Sequence, residues 1–377
     1  MPRLYSNSLS PNGLSVMRQR LSQSGLLIAI FGTFVVAGAS TVVSAQTTSS
    51  KPASGTKSAV RVSRQVAAKS SKAVTPPSSK AVSAAARRRA AARSRAAAAA
   101  RALREAQEPR FKLDDFGDLV PDLRAEAAII YDPVTGEVLW EENSLNLRSI
   151  ASITKVMTAV VFLEDGPDLS EQVVVQRSDV YRASTTYLRA GYKLTTGDLL
   201  NFLLIGSDNA AARVLARVSH YGSAGFIARM NEKAAELGLT STSYADPSGL
   251  LNENVSSAYD MARLIAIASA DERIGTVMQK AHYSTLIGQR TVHVNSTNQL
   301  VTKGGVDVVG GKTGFIRRSG YCLAALLRLP DSGKQVAVVV LGARSNAGRF
   351  WETRHLFNWL AGQAHDLISP PLEAATR

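Results

Sequence analysis

Ile150-Ala151-Ser152-Ile153-Thr154-Lys155-Val156-Met157-Thr158 is the stretch around which the rest of the chain is arranged. It opens an apolar-periodic run, with Ser152 and Lys155 three residues apart. On a helix the i and i+3 side chains share one face, so the Lys155 amine lies beside the Ser152 hydroxyl. A serine is a poor nucleophile until a base takes its proton. A lysine serves as that base only where burial or neighbouring cations pull its pKa down, and a helix N-terminus packed into a core supplies both. By itself Ser-x-x-Lys also recurs on surface helices, where it is only a solvated pair.

Two further motifs separate these readings. Ser207-Asp208-Asn209 follows an apolar segment that includes Leu199, Leu200, Phe202, Leu203, Leu204 and Ile205. Lys312-Thr313-Gly314 follows Val306 to Gly311, which reads as a strand ending in glycines. Ser-x-x-Lys, Ser-Asp-Asn and Lys-Thr-Gly occur in that order in penicillin-binding proteins and class A β-lactamases. With the flanking text Leu147-Arg148-Ser149 before the first motif and Phe315 after the third, residues from about Ala125 to Leu360 resemble the low-molecular-mass penicillin-binding proteins. These form the D-alanyl-D-alanine carboxypeptidase and endopeptidase family of serine peptidases.

The resemblance implies a role for each motif residue. Ser152 is the nucleophile that forms an acyl-enzyme with a D-Ala-D-Ala peptide, Lys155 its proton acceptor, and Ser207 a relay toward the leaving amine. Asn209 holds the substrate amide, Lys312 supplies positive charge, and Thr313 offers a hydroxyl to the terminal carboxylate. Gly314 leaves room for a substrate strand, and the backbone N–H groups of Ser152 and Phe315 hold the oxyanion. Asp208 is expected to be structural. Peptidoglycan stem peptides are the implied substrates and β-lactams the implied inhibitors; no metal and no cofactor is expected.

Competing chemistries find less support. There is no Gly-x-Ser-x-Gly elbow, and His220, His282, His293, His355 and His365 form no His-x-x-x-His pair. A class A β-lactamase wants a glutamate acting through water, with an asparagine four residues on. Glu232, Glu236, Asp246 and Glu253 lack that spacing, so a penicillin acyl-enzyme at Ser152 is expected to be long-lived. A non-catalytic wall-binding domain is disfavoured because all the motif residues are intact. Only about fifteen residues follow Leu360, which looks more like the endopeptidase branch, while carboxypeptidase is the commoner activity; sequence leaves both open, with carboxypeptidase the main expectation.

The remaining chain reads as extensions to one peptidase domain. Its 377 residues carry a net charge of +14, but residues 111–377 are close to neutral, with 26 basic and 28 acidic residues. Residues 1–45 read as an export signal, with Arg18 and Arg20 before the uncharged run Leu26 to Ala39 and Val43-Ser44-Ala45 before a cleavage site at Gln46. The alternative is an uncleaved membrane anchor. Residues 46–115 form a basic low-complexity linker, disordered in its Ser, Lys, Pro and Thr-rich half and helical from Ala84 to Arg104. Residues 51–110 suit an anionic membrane or wall polymer; nucleic acid is not expected, since the chain is expected to be exported, to the periplasm or cell envelope, and the segment offers no aromatics for stacking. Residues 116–365 form the peptidase domain and 366–377 a tail.

For the domain itself the order of strands, then helices, then strands predicts an α+β fold with an antiparallel sheet. The resemblance sharpens this to five strands flanked by helices with a helical lobe, the site lying at the seam. The segments read as a hairpin over Ala127 to Tyr131 and Glu137 to Trp140, and helices from Ser152, Leu199, Ala210, Ser223 and Ser257. Strands follow through Lys312, Tyr321 to Leu329 and Gln335 to Leu341, then a last helix from Ala347 to Leu360. Cys322, alone in an apolar run, reads as a small core residue.

Overall fold

A computed structural model of the chain describes residues 79–330 and 332–368. The expected export signal, the first half of the linker and the tail beyond Ile368 lie outside the described residues.

The basic Ala/Arg run is one long helix, α1 (Ser79–Gln107). Alanine and arginine are strong helix formers, so local propensity suffices here without a core. Next comes a small hairpin, β1 (Phe111–Leu113) and β2 (Leu119–Pro121). The boundary expected at 115–116 falls inside it, because the hairpin docks on the end of the chain. The Phe111 ring meets His355 edge-on at 5.0 Å, His355 Nε2 lies 2.9 Å from the Arg110 carbonyl, and Trp359 Nε1 donates to the Leu119 carbonyl. Its apolar residues remain largely exposed, so the segment shows no hydrophobic periodicity.

The main sheet opens with β3 (Ala127–Tyr131) and β4 (Val138–Glu142), joined by the expected turn. In that turn Asp132 Oδ1 accepts from the Val134 and Thr135 N–H groups, and Gly136 takes φ +76°. The chain then leaves the sheet through a two-residue strand, β5 (Arg148–Ser149), and builds the helical lobe. The lobe comprises α2 (Thr154–Leu163), β6 (Gln172–Val174), α3 (Arg177–Val180), β7 (Lys193–Thr195), α4 (Thr196–Leu204), α5 (Asn209–Val218) and α6 (Gly222–Glu236). It continues with β8 (Val255–Ser256), α7 (Ala258–Ala270), α8 (Glu272–Met278), the hairpin β9 (His282–Ile287) and β10 (Arg290–Asn295), and α9 (Gln299–Lys303). The chain returns through β11 (Asp307–Ile316), β12 (Gly320–Arg328) and β13 (Gln335–Ala343), and closes with α10 (Asn346–Ile368).

The five long strands are antiparallel in the order β11-β12-β13-β3-β4. Both faces of the sheet are covered, which explains why Ala337 to Leu341 reads as a continuous apolar run rather than an alternating one. Ile129, Cys322, Ala324, Leu326, Val339 and Leu341 face the helical lobe. Ile130, Leu323, Ala325, Val338 and Val340 face α10 through Phe350, Leu356 and Phe357. The α+β expectation thus holds, with Cys322 a buried core residue. The lobe is inserted between β4 and β11, so the chain must come back along the open edge of β11, and that return sets the lobe beside the third motif.

Helix starts follow their sequence signals. Thr195 caps α4 in a capping box with Asp198, Asp208 caps α5, and Ser257 caps α7 through the Asp260 N–H. The β9–β10 hairpin and α8 are additions to the expected order, and α10 runs eight residues past Leu360. The hairpin had a legible signal, a two-residue Gly288-Gln289 turn between β-branched runs.

Candidate active site

Ser152 sits in a 3-10 turn, Ala151–Ile153, between β5 and α2. The turn is held from three sides. Ile150 N–H donates to the Asn254 carbonyl at 3.1 Å, anchoring the turn beside β8. A Cβ on Gly249 would fall on the Ala151 carbonyl, and one on Gly314 would meet the Ile150 carbonyl at 2.5 Å. Ala151 takes φ +49°, a left-handed conformation that alanine adopts only when its surroundings impose it. Gly314 therefore serves the close approach of the nucleophile's turn.

Lys155, one helical turn on, is fully buried in the first turn of α2. Its Nζ lies 2.8 Å from Ser152 Oγ and donates to Asn209 Oδ1 at 2.6 Å and to the Ser248 carbonyl at 2.5 Å. Burial pulls its pKa down from 10.5 to about 7; the charges of Asp246 and Asp208 oppose the shift and that of Arg213 adds to it.

Asn209 also holds the base. Its Oδ1 accepts from Lys155 and its Nδ2 donates to the Ala183 carbonyl at 2.7 Å, which leaves a second Nδ2 hydrogen for a substrate amide. Asn209 opens α5 and is buried against Lys155 of α2. Beside it Asp208 is structural, as expected. Its carboxylate accepts from the Ala211 and Tyr187 N–H groups and from Thr186 Oγ1, while burial pushes its pKa up.

Ser207 completes the second motif in a left-handed conformation, φ +57°. Lys312 Nζ donates to Ser207 Oγ at 2.8 Å and to the Thr313 carbonyl at 2.9 Å. Lys312 is also fully buried, and desolvation, the charge of Lys155 and that of Arg349 lower its pKa well below the usual lysine range. Thr313 Oγ1 is 2.6 Å from Thr297 Oγ1. Phe315 is half exposed beyond Gly314 and stacks on Tyr321 at 4.2 Å. The three motifs, far apart in sequence, thus meet through two serine–lysine contacts, Ser152 with Lys155 and Ser207 with Lys312.

Two supports have no local sequence signal. The loop from Asp246 to Asn254 delivers the Ser248 carbonyl to Lys155 and Gly249 to the Ser152 turn. Asp246 ties it, accepting from the Ser248, Gly249 and Leu251 N–H groups and from Asn254 Nδ2. Asp246-Pro247-Ser248-Gly249 is readable as a turn, but its partner lies 93 residues away. From α10, buried Arg349 donates to the Gly314 carbonyl at 2.8 Å and to the Cys322 carbonyl, fixing β11 against β12. Among the described residues there is no cluster of metal-ligating side chains.

A five-stranded antiparallel sheet with a helical lobe across its edge, and a serine–lysine pair at the seam, defines a penicillin-binding serine peptidase fold. A family model described as D-alanyl-D-alanine carboxypeptidase matches residues 115–345, and the chain belongs to that family. The chain is 32% identical over 227 residues to a D-alanyl-D-alanine endopeptidase of Haemophilus influenzae, an alignment covering 60% of this chain and 78% of that protein. It is 31% identical over 234 residues to a D-alanyl-D-alanine carboxypeptidase of Bacillus subtilis, covering 58% of this chain and 57% of that one. Among solved structures it is similar to a Streptomyces DD-transpeptidase, with a TM-score of 0.60 and 28% identity over 65% of this chain and 98% of that one.

Proposed function

We propose that this protein is a serine-type D-alanyl-D-alanine carboxypeptidase that trims peptidoglycan stem peptides. The observation that carries the reading is Lys155, wholly buried, its Nζ 2.8 Å from Ser152 Oγ and its pKa near 7. As the neutral amine it accepts the hydroxyl proton while Ser152 Oγ attacks the carbonyl of the penultimate D-alanine. The N–H groups of Ser152 and Phe315 face the developing oxyanion. Collapse of the tetrahedral species breaks the peptide bond; the proton held by Lys155 passes by way of Ser207 to the leaving amine, D-alanine departs, and Lys155 is neutral again. Lys312 and Thr313 hold its carboxylate. Water, deprotonated by Lys155, then attacks the acyl carbonyl and frees Ser152. In this scheme Asn209 positions Lys155 and offers its remaining Nδ2 hydrogen to the substrate amide.

The test is intact-protein mass after mixing the purified chain with a penicillin. A persistent adduct of one penicillin, absent from Ser152→Ala, is expected. Penicilloate accumulating without an adduct would mark a β-lactamase, and neither adduct nor turnover would mark a non-catalytic binding domain.

Endopeptidase action on cross-links is the second reading. Relatives from Haemophilus influenzae, Pseudomonas aeruginosa and Escherichia coli at 31–32% identity, 78–79% of whose length is covered, are named D-alanyl-D-alanine endopeptidases. Product masses from cross-linked muropeptides separate the two activities. The site is placed outside the cytoplasm, a reading supported by residues 1–45. The basic segment 51–110 is assigned to anionic envelope polymer, supported by the arginines exposed on every side of α1.

A further inference from the structure

Arg349 stands in the first turn of α10, beyond the stretch matched by the family model, and is the only buried arginine among the described residues. All its hydrogen bonds go to neutral acceptors. Nη1 donates to the Gly314 carbonyl at 2.8 Å and to the Cys322 carbonyl at 3.2 Å, and Nη2 to Asn346 Oδ1 at 2.5 Å. No carboxylate is among its partners, and Nε has no partner at all. Desolvation lowers its pKa only to about 10, so it remains a cation at neutral pH. A buried charge without a counter-ion works against folding. Fastening β11 to β12 does not require that charge, because the two strands already pair from Asp307 to Ile316.

The acceptor accounts for the charge. Gly314 C=O and Phe315 N–H belong to one planar trans peptide unit and point in opposite directions. Arg349 bridges the Gly314 and Cys322 carbonyls, so the Gly314 carbonyl faces β12 and the N–H of the same unit faces the open edge of β11. On that side lies the Ser152 turn, whose backbone nitrogen is 3.3 Å from where a Gly314 Cβ would stand. The Ser152 N–H has a different backing, since the carbonyl of its own peptide unit, on Ala151, accepts from the Thr154 N–H, a neutral donor. A cation at a carbonyl oxygen draws electron density through the peptide unit and makes its N–H a stronger donor than a neutral group does. The two N–H groups are therefore unequal, and Phe315 carries the stronger one.

Resting on the proposed peptidase reading, we infer that Arg349 is a positioning residue for acyl transfer: it fixes the plane of the Gly314–Phe315 peptide and polarises the Phe315 N–H that receives the oxyanion. It acts from behind the sheet edge and touches no substrate atom. The charge it answers exists only as the carbonyl oxygen becomes an oxyanion, so it serves the acylation step and not the binding that precedes it.

The experiment uses the full chain and a penicillin with and without a carbon-13 label at its β-lactam carbonyl. Stopped-flow acylation separates the rate at saturation from the dissociation constant of the complex formed first. Infrared difference spectra between the two isotopes give the stretching frequency of the ester carbonyl on Ser152, which falls as the hydrogen bonds to its oxygen strengthen. Arg349→Met should slow acylation about tenfold, less than the loss of a whole oxyanion donor, leave the dissociation constant within about twofold, and move the band to higher frequency. Arg349→Lys keeps a cation for the Gly314 carbonyl and should recover most of the rate and of the band position. Asn346→Ala changes an exposed residue and removes only the Nη2 anchor, so it should shift both quantities in the same direction by less, and it decides the matter if Arg349→Met does not fold. The band is read only from acylated protein, so an inactive fraction does not distort it. An unmoved band in Arg349→Met and Asn346→Ala, whatever the rate, would reduce Arg349 to a staple between strands and overturn the inference while the peptidase reading stands. Absence of any penicillin adduct on the wild type would overturn the peptidase reading and the inference together.

Discussion

Lys155 illustrates what a single residue owes to its surroundings. An exposed lysine keeps its proton to about pH 10.4 and cannot serve as a base at neutrality. Burial brings Lys155 to about 7, so the rate of Ser152 acylation by a fluorescent penicillin should climb as pH rises through about 7 and level off above it. A rate still climbing at pH 9 would argue against Lys155 as the base. The same shift acts on stability. Between pH 7 and 10.5 the unfolded chain holds a proton that folded Lys155 has lost, so stability rises with pH there, by up to about 1.4 kcal/mol per unit for one group. Lys155→Met should flatten that slope in urea titrations, leaving the share of Lys312. Glu352 behaves in the opposite sense. Burial raises its pKa from 4.5 to about 7, and its Oε2 has no partner, so its cost is absent below pH 4.5 and complete above 7. Glu352→Gln should raise the melting midpoint at pH 8, by an amount worth on the order of 1–2 kcal/mol, and leave it nearly unchanged at pH 4. At this scale the Ser152–Lys155 contact is legible from i, i+3 spacing, whereas the commitment of Asn209 to Lys155 and Ala183 is not, because it depends on how α5 packs against α2.

Elements position these residues by close backbone approach. The Ser152 turn is wedged between Gly249 on its loop and Gly314 on β11, neither of which leaves room for a Cβ. Gly249→Ala also places a side chain at φ +78°. It should destabilise the fold by about 1–3 kcal/mol and slow penicillin acylation tenfold or more; normal acylation in a folded variant would mean that the turn does not need the wedge. Helix boundaries were readable because caps are local: Thr195 with Asp198, Asp208, and Ser257 each satisfy N–H groups within three residues. The β1–β2 hairpin was not readable, since its few contacts are with His355 and Trp359 at the other end of the chain. Gly249 stands in a legible Asp-Pro-Ser-Gly turn and Gly314 in the third motif, but their partners lie about a hundred residues away in one case and some 160 in the other.

For the molecule as a whole, charge and fold are separate properties. The excess positive charge belongs to the N-terminal extension, and α1 exposes Arg87, Arg88, Arg89, Arg93 and Arg95 around its circumference with no apolar stripe. Such a rod suits a flexible polyanion that contacts several faces better than insertion into a bilayer. Deleting residues 46–110 should leave turnover of a soluble peptide unchanged and lower retention on isolated sacculi at low salt; equal retention would remove the tether from the account. The penicillin adduct should also be long-lived. Glu232 and Glu236 are held by Arg229 and Lys233 on α6, and Asp246 commits both oxygens to its own loop. The sequence alone determined the family, the α+β class and the serine–lysine pair, because motif order, hydrophobic period and i, i+3 spacing are local quantities carried by the chain itself. Only the tertiary structure decided that Gly314 serves the nucleophile's turn, that Asn209 serves Lys155, and that Ser248 and Arg349 belong to the site. Each of those depends on segments far apart in sequence being pressed together, and burial and contact at such distances are fixed by packing rather than by neighbouring residues.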